Sequence, residues 1–165
     1  MSLESYVASV LREDPVGKIS FQVGMVTVDK HHLGKVAKAI ESKNVQVGTG
    51  DTGQQLAAVY SSWKGRRWDP GEERALGRIT LGTADAVKSK VGRASIFHES
   101  VHALVDVDDL KVSMHNDEVA AYLSEAIYLR DTNTRISGST LVMAIYEAAW
   151  AIVDAHKMLK RKGVK

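Results

Sequence analysis

Apolar and polar residues recur with two different periods along this chain, and the change of period divides it into a strand-bearing first half and a helical second half. Leu3, Tyr6, Val7, Val10 and Leu11 fall at helical spacing and stop before Pro15. Ile19, Phe21 and Val23 then alternate with Ser20, Gln22 and Gly24, and apolar character continues to Val28, which predicts one strand. Asp29 is a good N-cap for a helix whose apolar positions are Leu33, Val36, Ala37 and Ile40. His31 and His32, adjacent in its first turn, point in different directions and are expected to be exposed polar residues rather than ligands. Val45 to Val47 reads as a short strand, 56–63 as a second and 74–81 as a third, ending at Gly82. Between the first two of these lies a glycine-rich turn over 48–53, a hairpin loop or flap. It lacks the Gly-Lys-Ser/Thr of a phosphate-binding loop. The residues 64–71 form a loop.

Helices follow. Phe97, Val101 and Leu104 make one buried stripe, and the chain then turns through Asp106, Val107, Asp108 and Asp109. A second helix is expected from about Asn116 to Arg130, with Val119, Leu123, Ala126 and Ile127 inward. After a polar loop over 131–138, the longest helical pattern runs from Ser139 to about Lys162. Its inward positions are Leu141, Ile145, Ala148, Ala149, Ile152 and Leu159, and Gly163 is a natural stop. Three or four strands followed by an all-helical C-terminal half predict an α+β fold, a small twisted sheet covered by helices, in a single domain over 1–165.

Composition narrows the function classes. The 22 basic and 20 acidic residues nearly cancel, so no strong field for nucleic acid or membrane is implied. The basic end, Lys157 through Lys165, reads as a solvated helix terminus. No apolar run approaches the roughly 20 residues that span a bilayer. The first 14 residues read as an amphipathic helix rather than a signal segment, so a cytoplasmic location is expected, with export lacking a cleaved signal left open. There is no cysteine, so any zinc must be held by His, Asp or Glu.

The chemistry concentrates in His98-Glu99-Ser100-Val101-His102, a His-Glu-x-x-His pattern inside an otherwise apolar helical run. Histidines four apart share a helix face and supply half of a tetrahedral zinc site, while Glu99 is placed to take a proton from a metal-bound water. Two imidazoles and a carboxylate buried unpaired would cost several kcal/mol, and a metal accounts for all three together. A satisfied core histidine pair is the competing reading. The motif resembles the zincin metallopeptidases. In the zincin plan the edge strand of the sheet borders the cleft above the active helix. The strand over 74–81 is taken for that edge because it lies closest upstream, and an extended peptide could add to it by main-chain hydrogen bonds.

A catalytic zinc usually takes three protein ligands. Glu118, in Asn116-Asp117-Glu118-Val119-Ala120-Ala121-Tyr122, opens the next helix and is the best candidate. The segment resembles the gluzincin pattern Glu-x-x-Ala-Asp, with Glu118 and Ala121 matching and Tyr122 at the closing aspartate. In gluzincins that aspartate fixes a ligand histidine, a role for which Asp106, one turn after His102, is the candidate here beside its reading as a solvated helix-end carboxylate. Asp117 is a rival ligand if the helix is rotated, and Glu125 a surface charge or supporting partner. Asp108 falls where metzincins place their third ligand, but Val105 stands where those proteins need glycine. The resemblance covers about Arg93 to Leu129 and extends to small single-domain bacterial proteins with this helix pair.

The resemblance implies Zn²⁺ held by His98, His102 and Glu118, with Glu99 as the general base, acting on a peptide or protein substrate. Tyr122, His115, Tyr146 and His156 are chemically suitable donors to an oxyanion. The alternative from another class is a zinc-stabilised interaction or regulatory module without turnover, and a third is a metal-free α+β binding domain.

Overall fold

The computed structural model describes residues 1–13, 20–53, 57–67, 74–134 and 140–161. Outside the described residues lie Pro15, Ile19, Leu56, the loop positions 68–71 and 135–138, Gly163, and the side chains of Leu141, Ile152, His156 and Leu159. The elements in order are α1 (Leu3–Glu13), β1 (Phe21–Val23), β2 (Val26–Val28), α2 (Lys30–Glu41), β3 (Val45–Thr49), β4 (Ala58–Ser62) and β5 (Gly77–Leu81). A short 3-10 helix (Ala84–Lys88) leads into α3 (Lys90–Val107), α4 (Met114–Asp131) and α5 (Thr140–Arg161). The architecture is α+β with a helical C-terminal half.

Side-chain caps start three of these helices. Asp29 accepts from the His32 N–H at 2.8 Å, Ser89 from Gly92 at 2.9 Å and Ser113 from Asn116 at 3.2 Å. The Ser113 cap starts α4 at Met114, two residues before the position expected from periodicity. The expected stripes of α2 and α3 are buried, as are Val7, Val10 and Leu11 of α1 with Leu3 and Tyr6 partly so, and Phe97, Val101 and Leu104 are fully buried. On α5, the expected Ala149 is buried and Ile145 packs half-buried on the core, whereas Ala148 faces solvent and Tyr146 is buried in addition.

Three expectations are corrected. The single strand over 19–28 is a hairpin: β1 and β2 pair antiparallel with Val23 opposite Val26. Gly24 turns the chain at φ +57°, a conformation that favours glycine, and lies close against the Asn116 side chain on α4. The hairpin forms its own two-stranded sheet, separate from the three-stranded one. In that larger sheet the order is β3-β5-β4, so β5 is central and is not the edge. It pairs parallel with β3 on one side and antiparallel with β4 on the other, which leaves β4 as the edge strand that packs against α3. Finally, the chain does not turn at Asp106. Helix α3 continues to Val107 and ends at Asp108, with Asp109 at φ +49° and the Leu110 N–H closing on the Val105 carbonyl.

The larger sheet and the helices share one core, with Ile79 and Leu81 of β5 buried together with Ile96, Phe97 and Leu104 of α3. The start of α3 is clamped on the 3-10 helix, where a Cβ on Gly92 would collide with the Ala86 carbonyl. Gly92→Ala should therefore destabilise the fold by about 1–3 kcal/mol. The same change in an open helix stabilises by about 0.5–1 kcal/mol. Denaturant midpoints distinguish the two signs. Among the described residues, no helix is long and apolar enough to cross a membrane.

Candidate metal centre

Helices α3 and α4 pack along their length, and the site forms where their polar faces meet beneath β4. The i, i+4 spacing on α3 sets the rings of His98 and His102 edge-to-face with centroids 5.1 Å apart. From α4, Glu118, Tyr122 and Glu125 recur at i, i+4 and i+7 and face these rings. The Nε2 atoms of His98 and His102 each lie 3.8 Å from a different oxygen of Glu118. Ligand atoms of these three residues all lie within 4.8 Å of one another, a group that could hold a metal ion.

The outer ring nitrogens are taken by other carboxylates. His98 Nδ1 is hydrogen-bonded to Glu125 Oε2 at 3.2 Å. His102 Nδ1 lies 2.9 Å from Asp117 Oδ1, a close ion-pair contact too oblique for a full hydrogen bond. With a proton on each Nδ1, both Nε2 lone pairs would face Glu118, the arrangement that orients metal-binding histidines. Burial pushes His102 towards the neutral form, but Asp117, Glu99 and Glu118 outweigh it and hold the ring above its ordinary range. These surroundings favour positive charge at this point.

The donor set fits zinc. Two imidazoles and one carboxylate are the three-ligand complement of one class of catalytic zinc site. Tetrahedral zinc with bonds of about 2.0–2.1 Å spaces its ligand atoms roughly 3.4 Å apart, so the three groups, within 4.8 Å of one another, would draw together around an ion.

Glu99 stands beside this group without belonging to it. Its Oε2 accepts a 2.6 Å hydrogen bond from the Tyr60 backbone N–H on the free edge of β4. Burial pushes its carboxyl above the usual range, against the opposing pull of His98, the Tyr60 amide and His102. All these side chains line one cavity of about 610 Å³, walled on one side by Ala57 through Tyr60.

The remaining residues singled out from the sequence divide. Tyr122 lines the cavity with its ring edge-on to His98 at 4.6 Å, and burial with the charges of Glu118 and Glu125 keeps its hydroxyl protonated. Asp106 also lines the cavity, but it accepts from the Tyr60 hydroxyl at 2.8 Å and faces Lys64 Nζ at 3.5 Å. The histidine contacts expected of it are made by Glu125 and Asp117 instead. His115 is exposed in the first turn of α4 and does not line the cavity, and neither does the buried Tyr146. Asp108 is bound by Lys35 Nζ at 2.9 Å, away from the histidines. Sequence reasoning missed Tyr60, whose contribution to Glu99 is a backbone amide and has no residue signature. The pairing of Glu125 with His98 was within reach, since Glu125 shares the helix face of Glu118.

No known protein family, curated protein or solved structure matches the chain, so this site is read from its own residues and geometry.

Proposed function

We propose that the protein is a zinc-dependent metallopeptidase, with His98, His102 and Glu118 as ligands and Glu99 as general base. One observation carries the reading: two histidine Nε2 atoms and a carboxylate converge in an open cavity, with a separate buried carboxylate at their side. A purely structural site would be closed by four protein ligands. Here the nearest further carboxylates, Asp117 and Glu125, are engaged by the Nδ1 atoms. That favours a hydrolase over a zinc-stabilised module.

Zinc held there would supply Lewis acidity, acidifying a water and polarising the scissile carbonyl. The protein's own groups do the rest. The Tyr60 amide fixes one oxygen of Glu99 and leaves the other to accept the proton that water loses as its oxygen bonds to the carbonyl carbon. Glu99 then delivers that proton to the amine nitrogen as the carbon–nitrogen bond breaks, leaving a carboxylic acid and a free amine. Among the suggested donors whose side chains are described, Tyr122 is the one that lines the cavity, and its hydroxyl is available to a developing oxyanion.

Zinc-loaded protein should cleave an unfolded protein substrate, lose that activity in excess chelator, and regain it when zinc is added back. Mass spectrometry of the fragments reads both steps. Cleavage indifferent to chelator would defeat the proposal.

A further inference from the structure

The chain as a whole carries a formal charge of +2, yet among the described residues the cavity is lined by five carboxylates and by no lysine or arginine. These are Glu99, Asp106, Asp117, Glu118 and Glu125. Hydrogen bonds and ion pairs orient them but do not neutralise them, because the partners of Glu99 and Glu125 are an amide and a ring nitrogen. Among the described residues, the cation paired with this group is Lys64, 3.5 Å from Asp106, and it is shared with Asp109 at 2.7 Å. With both imidazoles neutral as ligands, a divalent ion offsets two of the five charges and Lys64 a third. Two negative charges remain uncompensated in a recess with a low-dielectric wall, where field lines are focused. One wall of the cavity is built of Ala57, Ala58, Val59 and Tyr60 and carries no charged side chain.

We infer that the cleft selects cationic peptide segments, with a lysine or arginine side chain beside the scissile bond lying against this acidic lining. The inference rests on the peptidase reading and names the substrate class of the same site. A long unbranched cationic side chain suits it twice, since its methylenes can lie along this uncharged wall while its head remains near the carboxylates. An acidic side chain in the same place meets repulsion and no counter-charge.

The test uses three peptides that differ at one position (arginine, norleucine or glutamate), are otherwise uncharged, and are blocked at both ends. Cleavage is measured with the zinc-loaded wild type, and binding with zinc-loaded Glu99→Gln, at 0.05 M and 0.5 M salt. The arginine peptide should exceed norleucine by about tenfold in kcat/KM and in affinity, and glutamate by about a hundredfold. Both ratios should shrink at high salt, where screening shortens the reach of the charges to about 4 Å. Equal rates, or a preference for norleucine or glutamate, would overturn the inference while leaving the peptidase reading in place. An arginine preference unchanged by salt would assign selection to shape and also overturn it. If no peptide is bound or cut, the peptidase reading falls and this inference with it.

Discussion

Glu99→Gln should leave the zinc content at the wild-type level and lower peptide hydrolysis by about two to four orders of magnitude. The amide is nearly the same size as the carboxylate, and its carbonyl can still accept the Tyr60 N–H, so the cavity wall stays in place. Glu99 is not one of the three residues that converge as ligands, so metal retention should not depend on it. What is lost is the proton acceptor. Elemental analysis and initial rates on the same preparation separate the two effects. Loss of zinc in this variant would make Glu99 a ligand, and retained activity would remove it from the chemistry.

The second large effect is expected from the carboxylates behind the histidines. Each of Asp117→Asn and Glu125→Gln should weaken zinc binding by about 10–100-fold, and the double variant by up to about 10⁴-fold, since each acts on a different ring. Competition with a chelator of known affinity measures this, and an unchanged helical circular dichroism spectrum shows that the fold survives. Asp117→Asn carries a further sign. His102 is pushed down by burial and lifted above its ordinary range by Asp117 with help from Glu99 and Glu118. Removing the Asp117 charge therefore lowers the pH at which the ring takes up its proton in zinc-free protein, which NMR titration of that ring detects.

How much was legible beforehand follows from which interactions are local. The stripe of Phe97, Val101 and Leu104, the shared face of His98 and His102, and the opening of the next helix by Glu118 are all set within two turns of helix, and periodicity reports them. The hairpin of β1 and β2 was hidden because apolar residues continue on both sides of Gly24 as in an unbroken strand, and the change of phase where Val26 directly follows Met25 marks the turn. The position of β5 at the centre of its sheet was not readable either. It depends on pairing with β3 across about thirty residues and with β4 on the other side, and the alternation of β5 itself is the same at a centre or an edge. Asp106 looked like part of a turn because three aspartates cluster there. Its hydrogen bond from the Tyr60 hydroxyl lets it remain inside α3, nearly buried. Tyr60 thus holds both Glu99 and Asp106, two turns apart on one helix, through a long-range contact that no local pattern announces.

The most direct test of the central claim is zinc per chain by elemental analysis, on wild type and Glu118→Ala purified identically. The account predicts about one zinc per wild-type chain and a clear loss in the variant. A wild type that takes up no zinc even after incubation with added metal would contradict it. His98 and His102 would then be polar residues held by Glu125 and Asp117 alone, and the cavity would belong to a binding protein rather than a metallopeptidase.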